Sequence, residues 1–118
     1  DLEAEACLMV YQEKYQEAVS LYEYLINEKG YDIPVTDLLN LGSLYEGRGD
    51  KSKAFLLYKN MAESDIDNIY RGEVQYRMSR IQADRGELRA ANLGLEYCLS
   101  LNPDHVKARL LQKKIRSN

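Results

Sequence analysis

A stretch of two short amphipathic segments joined by a glycine-bearing turn constrains this chain more than any other feature. Residues 38–58 read LLNLGSLYEGRGDKSKAFLLY. Leu38, Leu41, Gly42 and Tyr45 share one helical stripe, the turn Gly47-Arg48-Gly49-Asp50 follows, and Ala54, Leu57 and Tyr58 form a second stripe. Apolar residues at offsets of three and four mark both segments as amphipathic helices. So short a turn lets the second helix only double back on the first. Gly42 and Ala54, one on each helix, are small enough to let the axes approach, with Tyr45 and Tyr58 closing over the contact.

The pattern recurs. Ala18, Ala54 and Ala91 are spaced 36 and 37 residues apart, and twelve residues before them stand Ala6, Gly42 and Ser79. Tyr22, Tyr58 and Leu95 follow at four residues, Leu25, Met61 and Cys98 at seven, and Glu13, Gly49 and Gly86 precede by five. Two helices per unit at this period predict an all-α stacked solenoid, because a single hairpin cannot bury its apolar faces alone. Helices are expected at about 2–12, 15–29, 34–47, 51–64, 68–85, 87–100 and 104–116. They make one domain of three hairpins (2–29, 34–64, 68–100) plus a capping helix, read as a fragment of a longer protein.

At these positions the chain resembles the tetratricopeptide repeat family, whose pattern sets Leu-Gly and then Tyr on the first helix, Ala and then an aromatic on the second, and Pro at the end. Leu38, Leu41-Gly42, Tyr45, Ala54 and Tyr58 carry the match, and Ala91 with Asn102-Pro103-Asp104-His105 extends it. The outer units depart from the pattern: Gln75 and Gln82 stand at apolar places, Glu5 where a Leu would sit, and Gly30 where Pro would. The resemblance implies a right-handed superhelical stack whose concave groove, lined by first helices, binds a peptide or partner helix. The groove would be lined by Leu39, Asn40, Ser43 and Glu46 from the middle unit, and by Tyr76, Arg77, Arg80, Ala83 and Asp84 from the third. Arg77 and Arg80 would either hold a carboxylate bidentately or pair with Glu73 and Asp84. Some family members clamp the acidic tails of chaperones with Lys, Asn, Asn, Lys and Arg. The matching places here are Glu3, Cys7, Asn40, Glu73 and Arg77, so two acidic residues replace lysines and no chaperone-tail binding is expected.

Charge is unevenly laid down along the 118 residues. The chain carries −3 in total, but residues 1–70 hold −8 and residues 71–118 hold +5. This is either drift on solvated faces, or a basic C-terminal face that meets an acidic partner or the acidic end of a neighbouring copy. The basic part lacks the interleaved aromatic platform that single-stranded nucleic acid requires, so no nucleic-acid partner is expected. Nor is a membrane partner, since no apolar run suffices to span one. The start, DLEAEACLMV, has no basic leader region. The chain is therefore read as cytoplasmic, or as lacking a targeting segment that lies outside it.

Chemistry-bearing motifs are sparse, and no enzyme, metal or cofactor is expected. His105 is the single histidine and falls in a turn; Cys7 and Cys98 read as small buried hydrophobes. Neither a nucleophile triad nor a zinc set can be assembled from them. Asp65 and Asp67 lack the glycine and the following oxygen ligand of a calcium loop. Arg48 stands where a phosphate loop needs Lys, and Arg48-Gly49-Asp50 matches the adhesion tripeptide only where the hairpin turn needs a permissive Gly49 anyway. Gly30-Tyr31-Asp32-Ile33-Pro34 and Ser64-Asp65-Ile66-Asp67-Asn68 are expected connections, the latter with an Asp or Asn cap. Val106, Leu110, Leu111 and Ile115 are expected as the packing stripe of the capping helix. The two leading functions are a protein-binding adaptor or scaffold module and a structural, self-associating segment; an enzyme on a helical scaffold comes third.

Overall fold

The computed structural model describes residues 2–27 and 33–117. Six helices and no strand occur among them: α1 (Leu2–Asn27), α2 (Val35–Gly47), α3 (Lys51–Ala62), α4 (Asn68–Asp84), α5 (Leu88–Leu101) and α6 (Val106–Arg116). Each of α1 to α5 packs on its successor, and α6 packs on both α5 and α4. No described helix is long and apolar enough to cross a membrane.

Two turns make the hairpins. Gly49 and Gly86 adopt φ of +83° and +81°, a region that costs a residue with a Cβ. At both turns the amide two residues past the helix end reaches back into the last turn: Gly49 N to Glu46 O at 3.0 Å, and Gly86 N to Ala83 O at 3.0 Å. Asp50 then caps α3, its carboxylate accepting from Lys53 N.

The first unit departs from expectation. Helices at 2–12 and 15–29 are replaced by one continuous helix of 26 residues. Glu13 stands where the other units have Gly49 and Gly86, so the left-handed turn would be strained while Gln12, Glu13 and Lys14 all favour helix. Ala6 and Ala18 thus lie on the same helix and cannot form a hairpin contact. Ala54 and Ala91 are wholly buried, but Ala18 is only half-buried; Tyr15 and Val19 enter the core in its place. Gly30, Tyr31 and Asp32 lie outside the described residues, as do the side chains of residues 2–13.

Within α2–α3, Gly42 makes room for Tyr58. A Cβ on Gly42 would come 2.3 Å from the Tyr58 ring. In α4–α5 the small partner has moved across: Gly94 of α5 makes room for Ser79 of α4, whose Oγ would lie 2.2 Å from a Cβ at Gly94. One core gathers Tyr15, Leu41, Tyr58, Met61, Val74 and Ile81, and a smaller one gathers Tyr76, Leu95, Cys98 and Ala108.

Two local expectations are corrected. Asp67 takes the N-cap position of α4 without a side-chain bond; the connection is instead organised by Arg71, whose guanidinium donates to the carbonyls of Ala62 (2.7 Å), Ser64 (3.2 Å) and Ile66 (3.1 Å). In α6, Ala108 is buried and Leu111 and Ile115 pack beneath it, whereas Val106 and Leu110 remain outside. The inward arc is centred on the small Ala108, which lets α6 lie close to its neighbours.

Candidate functional site

The side chains proposed for the groove fall on α2 and α4, and α4 reaches across to α2 through two arginines. Arg77 is the hub. Its Nε donates to Glu73 Oε2 at 2.9 Å, one turn earlier on the same helix. Its Nη1 donates to the Leu39 carbonyl (2.9 Å), Ser43 Oγ (3.1 Å) and the Tyr58 hydroxyl (3.1 Å). Two hydrogens face three acceptors there, so one is shared.

From Tyr58 the contacts continue to α2. The Tyr58 hydroxyl donates to Glu46 Oε2 at 2.6 Å, and Glu46 Oε1 accepts from Arg80 Nη2. The Arg80 guanidinium lies 5.4 Å from the Tyr76 ring centre, and that ring is 4.8 Å from the His105 ring. His105 closes the circuit, its Nε2 lying 2.8 Å from Glu73 Oε1. Its Nδ1 accepts from Ala108 N at 3.1 Å and caps α6. With Nδ1 accepting, Nε2 carries the hydrogen that Glu73 receives.

Seven side chains on α2, α3, α4 and the start of α6 thus form a closed ring of contacts. Two guanidinium charges face two carboxylates, so the ring is balanced. Burial pulls both arginines toward lower pKa, but hydrogen bonds to Tyr58 and Glu73 for Arg77, and to Glu46 for Arg80, outweigh it and hold them above the ordinary value. Burial, and then the bond to Glu46, pushes the Tyr58 hydroxyl well up. Tyr45 is raised likewise by burial and by its 2.8 Å bond to Glu23 on α1.

The proposed groove residues divide into three sets. Leu39 and Tyr76 are buried, and Leu39 offers only its carbonyl. Arg77, Arg80 and Glu46 belong to the ring; of the two pairings expected for the arginines, Arg77 has Glu73, but Arg80 has Glu46. Asp84 instead binds Lys51 Nζ at 2.9 Å. Asn40 and Ser43 are exposed and Ala83 is half-buried. Sequence reasoning did not foresee Tyr58 or His105 as polar partners, and no local pattern marks either, since their partners lie 12 to 32 residues away.

The rejected motifs have structural roles. Gly42 is buried in a helix against Tyr58, Arg48 lies 5.3 Å from the Tyr15 ring centre, and Asp50 is a cap. Cys98 is buried, and burial followed by the nearby Glu73 charge pushes its thiol up to about 11, which keeps it protonated and unreactive at neutral pH. Among the described residues no group of three or more His, Cys, Asp or Glu is placed to hold a metal. The sequence matches no protein-family model and none of the curated proteins.

Proposed function

We propose that the chain is a non-catalytic protein-interaction module of the tetratricopeptide type, whose α2–α4 face binds a peptide or partner helix. The repeat reading is supported by the equivalence of the two complete hairpins. Gly49 and Gly86 share one backbone conformation, Ala54 and Ala91 are both wholly buried, and Tyr58 and Leu95 follow them into the core. A right-handed stack of such hairpins, with α1 supplying the outer layer, is the architecture this reading takes.

One observation carries the binding role: the side chains that fix α2 against α4 are bonded to one another, Ser43 through Arg77 among them, while Asn40 on α2 stays exposed. A surface fixed before a ligand arrives leaves most of the ordering cost to a flexible partner. Because the ring is charge-balanced, the face suits a hydrogen-bonding peptide more than a dicarboxylate. Arg77→Glu with Arg80→Glu is a poor probe, since it would break the ring itself. Asn40→Glu is the cleaner one. Affinity capture with mass spectrometry should yield a partner that the parent holds and the variant, with an unchanged melt, releases. A partner retained equally by both would remove the groove from the interface. An acidic chaperone-tail peptide binding at low micromolar affinity would also contradict this reading.

A further inference from the structure

His105 joins α6 to α4 through both of its ring nitrogens, and only one of those two bonds survives protonation. The side chain is 10% exposed. Nδ1 accepts from Ala108 N at 3.1 Å and caps α6, while Nε2 lies 2.8 Å from Glu73 Oε1. A proton added to the ring must go to Nδ1, the nitrogen that carries none, and the acceptor of the cap is then gone. The bond to Glu73 remains and becomes an ion pair. The surrounding charges act in the same two senses. On α4, Glu73 faces the ring directly, Arg77 shares that carboxylate, and Arg80 lies over the intervening Tyr76 ring. On α5 the nearest titratable group is Cys98, whose thiol feels Glu73 and is neutral. In the turn before α6 Asp104 is exposed, and Lys107 and Arg109 stand in the first turn of α6. An imidazolium is therefore held by Glu73 and rejected by the positive end of α6 with its two cations.

We propose that His105 is an acid-operated latch: protonation of its ring opens the first turn of α6 and leaves the α2–α4 face closed. Ala108 is wholly buried, so its N–H, once uncapped, cannot turn to water while the helix stays seated. A buried donor left without a partner costs more than the bond contributed when made. The first turn of α6 therefore lifts or unwinds. Leu111 and Ile115 still pack beneath the helix, so the opening stops there. Glu73 keeps Arg77 on its other oxygen, and the bonds from Arg77 to Leu39, Ser43 and Tyr58 are not disturbed. The latch does not depend on what the α2–α4 face binds.

NMR of the 118-residue chain between about pH 8 and pH 5 tests it, following the His105 ring and the exchange protection of the Ala108 amide. Corrected for the intrinsic pH dependence of exchange, protection at Ala108 should fall roughly 5- to 100-fold, the ratio that an unmade buried bond carries. The fall should track the titration of the ring, while amides around Leu39–Glu46 on α2 hold their protection. His105→Asn keeps a side-chain acceptor suited to an N-cap and removes the titration, so its Ala108 protection should not change with pH. A ring that titrates with no change at Ala108 overturns the proposal. So does a ring that stays uncharged across this range, or an equal loss on α2, which would be global unfolding. A fall that persists in His105→Asn also overturns it, by assigning the effect to carboxylates.

Discussion

Arg77 Nη1 on α4 lies 2.9 Å from the carbonyl oxygen of Leu39 on α2, a bond that joins positions 38 residues apart. The Leu39 carbonyl sits inside a helix, so Arg77 uses its second lone pair and takes nothing from the ladder. A planar guanidinium can satisfy Leu39, Ser43, Tyr58 and Glu73 together because its donors point in fixed and different directions. The shared face of two successive hairpins is thereby tied at one side chain.

Arg77→Lys tests that geometry. Lysine keeps the charge but cannot fork, so Tyr58 and Ser43 or Leu39 lose their bonds. A loss of about 1–3 kcal/mol is expected in denaturant unfolding, with Arg77→Leu costing more because it leaves Glu73 half-paired.

Gly42 and Gly47 make a matched pair on α2. Gly42→Ala forces a Cβ to 2.3 Å from a ring whose hydroxyl is held by Glu46 and Arg77, and should cost about 1–3 kcal/mol. Gly47→Ala meets nothing within 4 Å and should stabilise by roughly 0.5–1 kcal/mol through helix preference alone. Thermal melts of the two variants should shift in opposite directions.

Ser79 Oγ is fully buried and has no hydrogen-bond partner. Ser79→Ala removes a desolvated hydroxyl and relaxes the approach of Gly94, so it should stabilise by about 1 kcal/mol. Destabilisation would show that the hydroxyl is satisfied by water or by its own helix.

Much of this was legible in the residues. The Ala54 and Ala91 hairpins were readable because glycine at a tight turn and alanine between helices each have one strong physical reason to be there. The first unit was misread because its Leu, Ala and Tyr spacing continues unbroken through Glu13, and periodicity does not reveal whether a helix stops. The α6 stripe was half right: Leu111 and Ile115 pack, but Val106 and Leu110 do not, since two overlapping apolar arcs fit the same eleven residues. The polar ring was not legible as a ring. Glu46, Tyr58, Arg80 and His105 are brought together only by the packing of four elements, and no local pattern encodes it.

Alkaline pH should loosen the fold. Cys98 is raised from 9.0 to about 11, and Tyr45 and Tyr58 are raised further. A raised pKa means that the folded state holds a proton the unfolded state has released, so stability falls as pH climbs through that window. The cysteine contribution is fully present below pH 9.0 and lost by about 11, amounting to roughly 1–3 kcal/mol. Urea unfolding as a function of pH should show this slope, and Cys98→Ala should flatten its first part whatever it does to the absolute stability.

Native-state hydrogen exchange on the parent and on Arg77→Leu tests most directly whether the ring fixes the α2–α4 face as a unit. The account predicts that amides near Leu39–Glu46 on α2 and the Ala108 amide capped by His105 lose protection together, while the far side of α5 is unchanged. Loss of protection confined to α4 would contradict it and reduce Arg77 to a local ion pair with Glu73.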